Sequence, residues 1–270
     1  MDSQEKKSLK NIIYSNINKL LILTFNKKII AHRSIKNNRI AKQIFKNRIL
    51  KYDNGGYYYI SPMPTKEDLE LYYTTTYWNT RNNINSVQII NQRDLVHFQL
   101  FKQFIPQYLN IKINFLNFGS GHGGLSHLMW SLGMKVNNID PAQSSSNYQE
   151  RWQKFKQIEK VPNKSIDIVY GSHSLEHVQD ISKFKNEIER VLKPNGILFW
   201  EVPNADCNSN GAMLNKIDIP HTYYFQKKFF KNWFNETILC ESFDKNYYKI
   251  DDFLSFKNKQ GKVIIAIGKI

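Results

Sequence analysis

Four histidines fall where the chain could do chemistry: His122 inside a glycine-rich run, His173 and His177 after an apolar stretch, and His221 ahead of an aromatic run. Imidazole titrates nearer neutral pH than any other side chain, so such a set could move a proton on or off a bound molecule. Glu176 stands beside His177, and the two could act in catalysis or form a hydrogen-bonded pair that stabilises the start of a helix. His173-Ser174-Leu175-Glu176-His177 spells H-x-x-E-H, a zinc peptidase pattern. That pattern belongs on a helix with a distant further ligand, whereas here it follows the strand-like Ile166 to Tyr170. A peptidase is therefore rejected, and no metal is expected.

The elements that must position these groups begin with a turn. Asn117-Phe118-Gly119-Ser120-Gly121-His122-Gly123-Gly124 lies between apolar Ile113 to Leu116 and helix-like Leu125 to Trp130. It reads as a strand-to-helix turn that admits a nucleotide-like cofactor, because side chains at the glycines would hold the backbone off the ligand. Met134 to Asp140 reads as a second strand ending in an acid, at the distance where such folds hold ribose hydroxyls. Turn and acid together specify a Rossmann-like half-domain. Gly119, Gly121 and Gly124 fit the dinucleotide pattern G-x-G-x-x-G, and Gly119, Gly121 and Gly123 fit the G-x-G-x-G of S-adenosylmethionine (SAM) enzymes, so the turn alone leaves the cofactor open.

Two further stretches carry a resemblance. Ser165 to Val178 and Val191 to Asn204 resemble the fourth and fifth strand regions of class I SAM-dependent methyltransferases, read in the small-molecule branch as D-x-V-x(5)-L-E-H-V and V-L-K-P-G-G-x-L-x(3)-P-N. With the glycine turn and Asp140, the resemblance covers about residues 113 to 204. It implies an α/β fold, a Rossmann-like, doubly wound, mostly parallel seven-stranded sheet with an antiparallel final strand. It implies SAM as cofactor, held by Asn117, Gly119, Ser120, Gly121, His122, Gly123, Asp140, Pro141, Ser172 and His173, with His177 and His221 as catalytic residues. Asn117 stands where the family usually has Asp or Glu, and no third-strand acid for the adenine is identifiable around Phe155 to Gln157. Some quinol O-methyltransferases resembling this chain bind a divalent ion through E-x-x-E-H; His173 here replaces one oxygen donor by nitrogen.

Upstream, Ile60 to Tyr73 looks like the P-x-P-x(4)-L-x(2)-Y segment of a bacterial group, many of whose members act on sugars or natural products. Their Cys-pair zinc knuckle is absent, its place taken by Asp53-Asn54-Gly55-Gly56. His221 to Phe225 resembles the family's H-x-x-x-F element on the substrate side. The implied reaction is methylation of a small-molecule acceptor, a hydroxyl of a sugar or surface-polysaccharide intermediate favoured over a quinone or natural-product phenol. A catalytically silent SAM-fold binding protein and an NAD-dependent oxidoreductase are the alternatives.

Charge divides the chain. Residues 1 to 52 hold 13 Lys or Arg against Asp2 and Glu5, a balance of +11 within a total of +15. A basic, helical arm is read there, with a methyltransferase domain over residues 53 to 270 and a substrate-side insertion over about 205 to 224. The arm could be a solvated extension or rest on an anionic membrane surface. No basic and aromatic stripe runs through the catalytic part, which argues against nucleic acid. The apolar run Leu20 to Leu23 is too short to span a bilayer, no secretory signal is seen, and Cys207 and Cys240 read as reduced thiols of a cytoplasmic protein. Spacing predicts helices from Thr65 to Tyr73, Val87 to Leu109, about Ile181 to Leu192 and Gln226 to Phe234, with helical pieces over 8 to 49 and a last strand from Lys262 to Lys269. No motif names the acceptor or sets an oligomeric state.

Overall fold

The structure is a computed structural model that describes residues 17, 28–29, 39–45, 48–77, 90–140, 153–207, 220–244 and 261–270. Pro141 lies outside them, as does most of the basic arm. In chain order the first elements are β1 (Lys28–Ile29), α1 (Arg39–Phe45), β2 (Ile49–Asp53) and β3 (Tyr57–Ser61). Asp53 closes the β2–β3 hairpin, its carboxylate accepting from Gly55 N at 2.7 Å and its carbonyl from Gly56 N at 3.0 Å. The anticipated boundary at residue 52 thus falls inside a hairpin. Leu50 and Ile60 pair across it and are both buried. The anticipated run of helical pieces is likewise interrupted by strand at Lys28–Ile29, because pairing with β2 overrides local helix preference.

Helix α2 (Lys66–Tyr72) opens on Thr65, whose hydroxyl accepts from Asp68 N at 3.1 Å while Asp68 reaches back to Thr65 N, a capping box. It runs on through a π-helical turn, Tyr73–Tyr77. Helix α3 (Gln92–Phe104) opens on a second such box, Asn91 with Asp94. It is therefore shorter than the spacing predicts: the cap fixes its start, and Pro106, which lacks an N–H, turns the chain into a 3₁₀ turn, Pro106–Tyr108.

The main sheet comprises β4 (Asn114–Phe118), β5 (Lys135–Ile139), β6 (Gln153–Phe155), β7 (Ile166–Ser172), β8 (Leu192–Pro203), β10 (Glu236–Phe243) and β11 (Val263–Lys269), in the order β10-β11-β8-β7-β4-β5-β6. Strands β4 to β8 are parallel, and the final strand β11 runs antiparallel to both β8 and β10, as the resemblance implies. Helix α4 (Gly124–Ser131) follows β4, α5 (Ile181–Val191) joins β7 to β8, and α6 (Lys227–Trp233) precedes β10. Ile181, Phe184, Ile188 and Val191 form the buried stripe of α5. Leu192, read from spacing as part of that helix, instead opens β8, and a register shift accommodates the Lys193 to Gly196 segment.

Apolar clusters fill both faces of the sheet, one built on α5 and α6, the other on α3 and α4. Strand β9 (Tyr223–Phe225) ends the segment read as a turn-rich insertion and pairs with β3, completing a four-stranded antiparallel sheet β1-β2-β3-β9. Ala41, Ile44, Phe45, Tyr58 and Tyr224 form its core. Among the described residues, no helix is long and apolar enough to cross a membrane.

Candidate active site

Strand β4 has β5 on one side and β7 on the other, so the chain winds away in both directions and leaves a crevice at the strands' carboxyl ends. There lies a cavity of about 600 Å³. The glycine turn forms one wall. Gly119 N and Ser120 N donate to Ile139 O at 2.8 and 3.2 Å, and Gly123 N donates to Ser120 O at 2.8 Å. Asp140 accepts from Gly121 N at 2.7 Å, so the strand-end acid first of all fixes the turn.

Gly119 and Gly121 both have positive φ, at 72° and 51°. Their surroundings differ. A Cβ on Gly119 would meet Ser174 Cβ at 2.5 Å, whereas one on Gly121 would meet nothing within 4 Å. Gly121 thus borders open space of the kind a cofactor fills, while Gly119 is required by protein packing as well. His122 is exposed at the cavity rim.

Asn117 is buried, donating from Nδ2 to Ser126 Oγ at 2.9 Å; Ser126 in turn donates to Asn138 Oδ1 at 2.7 Å. The position that usually carries an acid here joins β4, α4 and β5 through neutral hydrogen bonds.

Charged groups gather at the ends of β7 and β8 and at the start of α3. Glu201, near the end of β8, has no exposed surface. Arg93 Nε lies 3.7 Å from its carboxylate, His97 Nε2 3.5 Å and His173 Nε2 3.7 Å, and Ser172 Oγ donates to it. Burial by itself would raise the Glu201 pKa, but His173, His97, Arg93 and Ser172 prevail and hold it at about 2. His97, from α3, is fully buried with Nδ1 2.7 Å from Tyr170 Oη. Burial pushes it down to about 4 against the attraction of Glu201, so it is neutral at pH 7.

His173 has a left-handed backbone, φ 51°, costly for a residue with a Cβ. Its backbone N donates to Glu201 O at 2.9 Å, and its Nδ1 lies 3.2 Å from Glu176 Oε1. Burial favours its neutral form, yet Glu201 and Glu176 together raise its pKa.

Glu176 is the second buried carboxylate. His177 Nε2 and His221 Nε2 each lie 4.0 Å from its Oε1. Burial opposes its charge, but His173 by hydrogen bond and the neighbouring imidazoles lower its pKa to about 2. Its Oε2 is buried and has no hydrogen-bond partner among the described residues. The His177 and His221 rings are 4.8 Å apart, and Tyr73 meets His177 edge-on at 6.1 Å. His177 and Tyr73 line the cavity; His221 is not among its described lining residues and packs behind His177. Donor atoms of Glu176, His177 and His221 all lie within 4.8 Å of one another, so these residues could also hold a metal ion.

A family profile described as "Methyltransferase domain" matches residues 91–244. The chain belongs to this methyltransferase family. Membership bears out the resemblance to class I SAM-dependent methyltransferases and sets aside the dinucleotide reading of the glycine turn. SAM is the cofactor, and the open space over Gly121 and the strand-end acid Asp140 fit it.

The ubiquinone biosynthesis O-methyltransferase of Pelagibacter ubique (strain HTCC1062) is 31% identical over 140 residues, 47% of this chain and 57% of that protein. The chain thus matches under two thirds of that relative's length. Among solved structures, a Burkholderia thailandensis 1,6-didemethyltoxoflavin-N1-methyltransferase, with 1,6-didemethyltoxoflavin and S-adenosylhomocysteine bound, superposes with a TM-score of 0.52 at 10% identity, covering 82% of this chain and 95% of that one. That likeness is one of fold.

Of the residues singled out from sequence, Asn117, Gly119, Ser120, Gly121, His122, Gly123, Asp140, Ser172, His173 and His177 all line the cavity. Sequence reasoning missed Arg93, Tyr73 and Glu201. Glu201 had a legible signal: an ionisable residue inside the apolar run Ile197 to Val202 must be paired if that strand is buried.

Proposed function

We propose that the protein moves a methyl group from SAM to a hydroxyl of a small-molecule acceptor, with His177 as the base. The supporting observation is His177 on the cavity wall beside the buried Glu176 carboxylate, with His221 packed behind it. Gly119 to Gly123 and Asp140 hold the adenosyl part, Asp140 reaching the ribose with the carboxylate that also anchors Gly121 N. Asn117 and His122 contribute at the turn and rim, and Ser172 and His173 at the end of β7. Bound SAM supplies a methyl group already activated by its sulfonium. What remains for the protein is alignment and removal of one proton. His177 takes that proton, and the Glu176 carboxylate steadies the imidazolium that forms.

Proton affinity favours a phenolic acceptor. A phenol titrates near 10 and imidazole near 6.5, a mismatch worth about 5 kcal/mol. A sugar hydroxyl is a weaker acid than a phenol, and at the limit of water's 15.7 the mismatch reaches roughly 12 kcal/mol. The aromatic wall of Tyr73 and His177 and the name of the Pelagibacter relative support a quinone-type phenol as well. The sugar reading rests on the P-x-P segment ahead of the core.

The test is S-adenosylhomocysteine formation by purified protein offered catechols and quinol precursors in one series and sugar nucleotides in another. His177→Gln should cut turnover with the accepted substrate about 100-fold while leaving SAM affinity within about two-fold. His221→Gln, one ring further from the cavity, should cost less. Turnover only with sugars would reverse the choice of acceptor, and wild-type rates in both variants would remove the base. The histidine cluster acts in this reading without a metal. Elemental analysis, with turnover measured before and after chelation, checks that.

A further inference from the structure

Glu201 is a buried charge that the transfer as proposed does not use. A carboxylate is tolerated in such surroundings only when donors enclose it. Those around Glu201 come from three places: Arg93 from the first turn of α3, His97 from the same helix, and Ser172 and His173 from the end of β7. Arg93, Ser172 and His173 also line the cavity. Arg93 is the only Arg or Lys among the described lining residues. It is also a cation at a helix N-terminus, where the helix dipole disfavours it, and the carboxylates of Glu201 and the adjacent Asp94 both act on it to offset that.

SAM has an adenosyl end, for which the glycine turn and Asp140 are suited, and an amino-acid end bearing a carboxylate. We propose that Glu201 is a positioning residue for the amino-acid end of the cofactor, holding Arg93 so that its guanidinium receives the ligand's carboxylate. A guanidinium carries five N–H donors, enough to face Glu201 through Nε and grip a second carboxylate. This rests on SAM as the cofactor and goes beyond it by assigning a role to Glu201.

Calorimetric binding tests it without requiring turnover. S-adenosylhomocysteine has the amino-acid end, and 5′-methylthioadenosine shares the adenosyl part but lacks it. Glu201→Gln, equal in shape and uncharged, should weaken S-adenosylhomocysteine binding about ten-fold or more and leave methylthioadenosine within about two-fold. Arg93→Met should do the same, and the double variant should bind S-adenosylhomocysteine about as well as Arg93→Met alone, because Glu201 acts through Arg93. Equal losses for both ligands, no loss, or additive losses would overturn the proposal. If Glu201→Gln does not fold, Glu201→Asp, which keeps the charge but withdraws it from Arg93, takes its place in the same two-ligand comparison and in the double variant with Arg93→Met. A wild-type protein that binds neither ligand would instead defeat the cofactor reading itself.

Discussion

Gly119 and Gly121 look interchangeable in the sequence and differ in what they face. Both need a left-handed backbone, so alanine strains either by about 1 kcal/mol. At Gly119 the added methyl also meets Ser174 Cβ at 2.5 Å, and the Ser174 backbone would have to yield. Gly119→Ala should therefore cost about 2–4 kcal/mol in denaturant unfolding, the sum of strain and overpacking. Gly121→Ala should cost about 1 kcal/mol and yet lose S-adenosylhomocysteine binding, read by titration of the folded variant. Equal destabilisation, or retained binding in Gly121→Ala, would contradict this division of roles. The glycine pattern, Asp140 and the histidines were legible because their spacing is local. Arg93 and Glu201 were not, since their meaning comes from a contact between residues 108 positions apart, which spacing does not encode.

Between elements, the joints are hydrogen bonds that sequence only hints at. Both capping boxes, Thr65 with Asp68 and Asn91 with Asp94, are legible as residue types, whereas apolar spacing alone starts α3 too early, at Val87. Asn117 to Ser126 to Asn138 is a joint of the same kind, in which each donor has one acceptor. Asn117→Asp, which restores the family's usual acid, should destabilise the fold by about 1–3 kcal/mol, because a carboxylate cannot donate to Ser126 and drawing its hydroxyl proton would strip Asn138. A stability gain would refute that account. His97 joins α3 to β7 and β8 and is held neutral by burial. Its folded pKa, about 4, lies below the ordinary 6.5, so the unfolded chain binds the proton first and stability falls as pH drops from 6.5 toward 4. Glu176 and Glu201, depressed to about 2, lose their contribution only below their ordinary 4.5. His173 has a raised pKa, so its contribution is intact below 6.5 and is lost as pH rises through its folded value. Between pH 6.5 and 5, then, the stability lost on acidification comes from His97, on the order of 2 kcal/mol, while His173 and the buried Asp94, both with raised pKa values, oppose it. Urea midpoints at those two values should converge in His97→Gln.

At the scale of the molecule, charge asymmetry suggested a detachable basic arm, and the described part of that arm argues for an attached one. Charge counts report composition, whereas a boundary depends on pairing, and here Ile49–Asp53 pairs with Tyr57–Ser61, which in turn pairs with Tyr223–Phe225. Ala41, Ile44, Phe45 and Leu50 share an apolar core with Tyr58, Ile60 and Tyr224, three residues on from His221. A chain beginning at Lys51 would lose these four buried residues, each worth about 1–3 kcal/mol of burial, and would leave Tyr58 and Tyr224 uncovered. The glycine turn, Asp140 and the Glu201 wall belong to the main sheet, so S-adenosylhomocysteine affinity should stay within a few-fold where the shortened chain folds. Acceptor turnover should fall much further, because β9 begins just past His221, with only Thr222 between. Turnover and affinity lost in proportion would mean that the small sheet supports the whole cavity. The basic residues pose a separate question, whether they are a solvated extension or a contact for an anionic membrane, and the membrane contact has its own signature. Full-length protein should then sediment with phosphatidylserine vesicles at low salt and release as salt rises, whereas the Lys51 chain, which lacks 12 of the 13 basic residues of positions 1 to 52, should stay in the supernatant throughout. Salt-insensitive sedimentation, or sedimentation of both chains alike, would place the contact elsewhere.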